Sequence, residues 1–191
     1  MHVSLKHLIG TVTLMSLIMS AGYSYTLITS YMEAQILRGQ LQQIAEYVAL
    51  NLVEVINLVK YTNRSEPQPT YKLLKIPKDL GGRAYIIELK NETAGGKGYY
   101  IRARLLIRED VEAFSIIPIN TTELSIELKA EGNGTITSRN GNINWTSVIH
   151  GGYEPGVYET VVWGMMNATQ IDETWIVTLT AGLGRLDRGG S

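Results

Sequence analysis

The feature that most constrains the fold is a run of 25 residues, Leu8–Met32, that contains no Asp, Glu, Lys or Arg. As an α-helix this run rises about 37 Å, which is enough to cross a bilayer hydrocarbon core of about 30 Å. Glycine and hydroxyl residues interrupt its Leu, Ile and Met, as is common where membrane helices pack closely. Tyr23, Tyr25 and Tyr31 lie toward its C-terminal end, where interfacial aromatic residues are typical. The run therefore predicts a membrane-spanning helix.

The flanks of this run predict its orientation. Lys6, the amino terminus and two histidines form a weakly positive N-terminal flank, which predicts a cytoplasmic N-terminus and an external remainder. The alternative interpretation is a secretory signal peptide cleaved near Ser20 or Gly22. Few basic residues precede the run, and its apolar character continues past that site, which favours the anchor. The first residue of the mature protein distinguishes three cases. An intact anchor would start at Met1, a processed precursor at Thr11 and a secreted protein at Tyr23.

Charges appear after Met32, but no proline or glycine cluster ends the helix. Large aliphatic residues then recur at spacings of three and four, which keep them on one helical face. These residues are Leu37, Leu41, Ile44, Val48, Leu52, Val55 and Val59. Gly39 costs about 1 kcal/mol against Ala, far less than seven aliphatic side chains contribute at about 1.5–3 kcal/mol each when buried. We therefore expect one helix over residues 1–61, surrounded by lipid at residues 8–32 and packed against a folded domain through these seven aliphatic residues. The same seven residues are also the face through which we expect the helix to assemble with other subunits.

Residues 62–72, with Pro67 and Pro69, predict a linker, and residues 73–191 predict a β-rich head. Alternating apolar and polar residues in AYIIELKN and GYYIRARLLIR predict a hairpin with one wet face. The strand ELSIELKA is expected to point Leu124, Ile126 and Leu128 inward and to pair with TITS. Asn140-Gly141 suits a two-residue primed turn.

The C-terminal part of the head continues this β pattern. EPGV at 154–157 suits a type II turn, and VYETVVWGM and ETWIVTLTA predict the last strands. Short strands, regular turn signals and no second helix predict an α+β fold, in which the long helix precedes an antiparallel β-sandwich.

Six of the ten asparagines occur in the N-glycosylation pattern Asn-x-Ser/Thr, and all six follow the apolar run. They are Asn63, Asn91, Asn120, Asn133, Asn144 and Asn167. Most fall in expected turns, where a glycan would remain in solvent. Turn-rich β proteins are also rich in Asn, Gly and Thr, which is the alternative explanation. Glycosylation of several of these asparagines would agree with an extracellular head.

The composition excludes several functions. The chain has no cysteine, three histidines and a net charge of −1, so it predicts no thiolate site, no metal, no cofactor and no nucleic-acid partner. His150 lacks an accompanying nucleophile motif, and the glycines of Gly182–Gly190 lack the helix that a dinucleotide fingerprint needs. Glu109-Asp110 and Asp172-Glu173 are adjacent carboxylates that suit turns. We therefore predict no enzyme, and a packing role for the three tryptophans.

The passage from Leu8–Met32 into Glu33–Tyr61, followed by a β-rich head with many sequons, resembles archaeal type IV pilin-like proteins. The segment LLKIPKDLGGRAYIIELKN at 73–91 is similar to the start of the head in pilin-like proteins anchored in archaeal membranes. This resemblance implies that helices bundle into a filament core, with other pilin-like subunits, copies of itself and the pilus assembly machinery as partners.

Pilin precursors with a class III signal carry a basic residue and Gly or Ala before the apolar run, then a Glu five residues into the mature chain. Here Ile9 precedes Gly10, and the first acidic residue is Glu33. These differences imply a minor or accessory pilin-like protein, in the cell membrane or an extracellular filament. The alternative function is a single-pass, membrane-anchored β module that binds a surface or S-layer component without polymerising.

Overall fold

The computed structural model describes residues 5–61, 68–92, 98–119, 125–151, 159–171 and 174–187, and of residues 5, 6, 125, 168–171 and 174–176 it describes only the backbone. The chain divides into two compact units, Met1–Leu37 and Arg38–Ser191. The second half of the N-terminal helix thus belongs to the same unit as the strands.

One helix and ten strands follow in chain order among the described residues. They are α1 (Leu5–Lys60), β1 (Thr70–Leu73), β2 (Tyr85–Glu92), β3 (Gly98–Leu105), β4 (Glu112–Ile116), β5 (Ser125–Leu128), β6 (Asn133–Ser138), β7 (Gly141–Thr146), β8 (Val148–His150), β9 (Glu159–Ile171) and β10 (Thr174–Asp187). One long helix followed by antiparallel sheets confirms the α+β class.

The strands form two sheets. The six-stranded sheet has the order β1-β9-β10-β7-β6, with β5 also paired to β10, and the four-stranded sheet has the order β4-β3-β2-β8. The expected hairpin is present as β2 and β3, paired from Tyr85↔Leu105 to Glu92↔Gly98. The chain crosses from one sheet to the other at Ser147, the single residue between β7 and β8.

The partner predicted for the ELSIELKA strand was wrong. Its described part, β5, pairs in parallel with β10 through Thr178↔Ser125 to Ala181↔Leu128. The expected partner TITS lies in β6, which pairs with β7 instead, because a two-residue turn brings those strands together. Ile126 and Leu128 are buried as expected, whereas Leu124 lies outside the described residues.

Turn and strand boundaries also differ from the sequence predictions. Ser138 pairs with Gly141, so Arg139 and Asn140 form the turn that was expected at Asn140-Gly141. Thr70–Leu73 overlaps the expected linker but pairs with β9. Strand β10 continues to Asp187, through most of the glycine-rich segment Gly182–Gly190, because its pairing with β9 extends to Leu186↔Glu159. The turn expected at 154–157 lies outside the described residues.

The second half of α1 packs closely on the six-stranded sheet. A Cβ atom on Gly164 would lie 3.1 Å from Val59 Cγ2 and 3.2 Å from Val55 Cγ1, so glycine permits this approach of helix and strand. Beside this contact, Lys72 Nζ of β1 donates to Glu54 Oε2 at 2.5 Å. At the first residue of the second unit, Arg38 Nη2 donates to the carbonyl oxygen of Asp110 at 2.8 Å.

Candidate functional site

The first half of α1 exposes large apolar side chains on every side, with exposed fractions of 53–74%. These side chains are Leu8, Ile9, Val12, Leu14, Met15, Leu17, Ile18, Met19, Tyr23, Tyr25, Leu27, Ile28, Tyr31 and Met32. Among the described residues, this is the one helix long and apolar enough to span a membrane. A surface of this kind is unusual in a water-soluble protein and marks a site of membrane or protein contact.

Six of the eight serine and threonine hydroxyl groups in residues 8–32 donate to carbonyl oxygens of the helix itself. Thr11 Oγ1 donates to the carbonyl oxygen of His7 at 2.8 Å, Ser24 Oγ to that of Ser20 at 2.8 Å, and Thr29 Oγ1 to that of Tyr25 at 2.9 Å. Polar groups in a bilayer have no water to bond with, so they need partners inside the protein. The hydroxyl residues that dilute the apolar run are therefore compatible with lipid or with another apolar helix.

The stripe predicted in the second half is buried. Its seven residues, Leu37, Leu41, Ile44, Val48, Leu52, Val55 and Val59, have exposed fractions of 0–7%. From Leu41 onward they lie in the same compact unit as the sheets. The chain itself thus covers the expected helix assembly face, and a contact with another subunit requires a different side of the helix.

The side of α1 away from the buried stripe carries four large apolar residues, which we call the outer stripe. They are Tyr47, Leu50, Leu58 and Tyr61, with exposed fractions of 37%, 67%, 51% and 90%. At 3.6 residues per turn, these positions fall within about 80° of arc. The sequence does not reveal this stripe readily, because the charged Glu54, which pairs with Lys72, falls within the same arc, although the spacings of three, eight and three residues would have indicated it.

The described sequon asparagines lie on strands, which corrects the expectation of turns. Asn91 and Asn133 are exposed, and Asn144 and Asn167 are half-buried. Asn63 and Asn120 lie outside the described residues. Asn133 and Asn144 occupy neighbouring strands because Thr135 of one sequon pairs with Asn144 of the other.

The residues considered for catalysis are not brought together. His150 is exposed at the end of β8, whereas Glu109 and Asp110 form ion pairs with Arg104 at 2.8 Å and Arg108 at 3.3 Å. Asp172 and Glu173 lie outside the described residues. Within the described ranges, no three His, Asp or Glu side chains form a group that could hold a metal ion.

Two of the tryptophans have described side chains. Trp163 is 1% exposed and donates from Nε1 to the carbonyl oxygen of Leu183 at 3.0 Å, as the packing role predicts. Trp145 is half-buried, with its ring centroid 6.5 Å from that of Trp163. The side chain of Trp175 lies outside the described part of the chain.

Comparison of the chain with protein-family models, with curated proteins and with solved structures finds no match.

Proposed function

We propose that this protein is a structural cell-surface protein, a pilin-like subunit or accessory pilin of an archaeal type IV pilus-type filament. In this proposal α1 serves as both membrane anchor and assembly element, and the β-sandwich head carries N-glycans outside the cell. One observation carries the proposal: α1 is apolar all round over 8–32, and beyond the charged residues that follow, Leu50, Leu58 and Tyr61 still expose large apolar side chains.

The outer stripe argues for a protein partner in addition to lipid. Leu50 follows Met32 by 18 residues, a helical rise of about 27 Å. A bilayer placed around Leu8–Met32 therefore leaves Leu50, Leu58 and Tyr61 in water. Four exposed large apolar residues on one helical face are favourable only when another surface covers them. Helix α1 of a second copy, or of another pilin-like subunit, lying parallel to it and inserted in the membrane in the same direction, offers an apolar surface at the same height.

Cysteine crosslinking in intact membranes tests the assembly. Because the natural chain has no cysteine, single substitutions such as Leu17→Cys and Leu50→Cys give unambiguous contacts. We expect both to form crosslinked dimers, whereas Thr137→Cys, exposed on β6 of the head, provides the matched control and should not. Equal crosslinking at all three positions would reflect random collision, and none at Leu17 or Leu50 would refute assembly through the helix.

The same experiment separates the alternative function, a membrane-anchored β module that does not polymerise. That module would remain in the membrane fraction without helix-to-helix crosslinks. A chain that is freely water-soluble at full length, with residues 8–32 buried, would refute both functions.

A further inference from the structure

A pocket of about 420 Å³ lies at the seam between the two sheets. Strands β6, β7 and β10 of the six-stranded sheet and β8 of the four-stranded sheet form its walls. Its polar side chains come from Asn133, Thr135, Asn144, Thr146, His150 and Arg185. The volume falls in the range of pockets that take small organic ligands, about 300–1,000 Å³.

The two sequons of the β6–β7 hairpin place four of these side chains on one face. Asn133 pairs with Thr146 and Thr135 pairs with Asn144, and residues opposite each other on antiparallel strands project to the same side. Thr135 Oγ1 donates to Asn144 Oδ1 at 2.9 Å, and Thr146 Oγ1 donates to the carbonyl oxygen of Val148 at 3.2 Å. Three of these four side chains, those of Thr135, Asn144 and Thr146, are therefore held in place before any ligand binds.

A close contact between Trp145 and Gly134 stiffens the hairpin. The indole of Trp145 lies against Gly134 so closely that a Cβ atom there would be 2.6 Å from Nε1. This contact fixes the two strands at the point where the pocket is formed. A pre-organised pocket loses less conformational entropy on binding, so weak polar contacts suffice.

We propose that this pocket binds a saccharide. Side-chain amides and hydroxyls both donate and accept hydrogen bonds, as sugar hydroxyls do. Other ligand classes fit less well: apolar ligands need a mostly apolar lining, which only Trp145 and Val148 supply, and hard metal ions need carboxylates, which the lining lacks. Arg185 is the one permanently charged side chain of the lining, and it already interacts with another group. The pocket therefore offers little positive charge to bind a simple anion.

The saccharide has two possible sources with the same chemistry. It is either the glycan attached to Asn133 or Asn144 of the same chain, folded back into the pocket, or a saccharide from the surroundings. The proposal is independent of filament assembly, since the pocket belongs to the head alone.

The test uses the full chain in a non-glycosidic detergent, produced in a host without N-glycosylation. Binding of N-acetylglucosamine, methyl glucoside, methyl galactoside and inorganic phosphate is measured by saturation-transfer NMR and calorimetry. We expect at least one saccharide to bind and Asn144→Ala to weaken it about three- to tenfold, the effect of one lost hydrogen bond. Asn142→Ala, an exposed neighbour on the same strand and face but outside the pocket, should leave binding unchanged.

Thermal unfolding of each variant verifies the fold, and Thr135→Val replaces Asn144→Ala if the latter does not fold. The proposal is overturned if the folded natural sequence binds none of the three saccharides, if phosphate alone binds, or if Asn142→Ala weakens binding as much as Asn144→Ala. A chain purified with its native glycans then identifies the source. Free saccharide that binds to the chain made without N-glycosylation but not to the chain with its native glycans identifies the attached glycan, and equal binding to both identifies an external one.

Discussion

At the scale of single residues, two glycines face tryptophan indoles at different distances. A Cβ atom would lie 2.6 Å from Trp145 Nε1 at Gly134, but 3.4 Å from Trp163 at Gly182, where it makes an ordinary contact. We expect Gly134→Ala to lower the free energy of unfolding by about 1–3 kcal/mol, the usual cost of overpacking. Gly182→Ala should be neutral or raise it by about 0.4–1 kcal/mol, because alanine restricts the unfolded chain. Urea unfolding followed by tryptophan fluorescence measures both, and equal losses would contradict the close Trp145 contact.

A second residue-scale feature is the burial of Glu88 on a face expected to be wet. Its side chain is 8% exposed and lies 3.6 Å from Arg104 Nε, 3.9 Å from Arg102 Nη1 and 3.9 Å from Lys90 Nζ. Glu88→Gln leaves these cations without their shared counter-charge, so we expect the free energy of unfolding to fall by about 1–3 kcal/mol. The control is Glu127→Gln, which removes an exposed ion pair and should cost less than about 1 kcal/mol. A similar small effect for both variants would show that the buried cluster contributes nothing.

At the scale of elements, Leu50 and Leu52 test the two faces of α1 with one residue type. Leu52 is 0% exposed and Leu50 is 67% exposed. Leu52→Ala should lower the free energy of unfolding by about 2–5 kcal/mol, whereas Leu50→Ala should change it by less than about 0.5 kcal/mol. Crosslinking in membranes should respond in the reverse order, with Leu50→Ala reducing dimer formation. If Leu50→Ala is as destabilising as Leu52→Ala, the outer stripe is part of the head's core and cannot be an assembly surface.

Local patterns account for much of the element structure. Leu41, Ile44 and Val48 are buried as their spacing predicts, because a helical period needs no knowledge of distant partners. The pairing of β5 with β10 joins Leu128 to Ala181, 53 positions further along the chain, and no local pattern specifies such a contact. The proposed saccharide pocket could not be predicted from the sequence for the same reason. Thr135 and Asn144 belong to two separate sequons, and only the register of β6 and β7 brings them together in one site.

At the scale of the molecule, the boundary between the compact units lies inside α1, after Leu37. Truncation tests whether the part of α1 after this boundary is needed for the head to fold. A chain that begins at Arg38 keeps six buried stripe residues, so we expect it to unfold cooperatively in buffer without detergent. A chain that begins at Tyr61 loses them, at about 1.5–3 kcal/mol each, or about 9–18 kcal/mol in total. That loss is comparable to the whole stability of an ordinary domain, about 5–15 kcal/mol, so this chain should not fold. Circular dichroism and denaturant titration distinguish the two. A head that folds without residues 38–60 would mean that this part of α1 is not needed for its core, whereas failure to fold would make it a core element of the head.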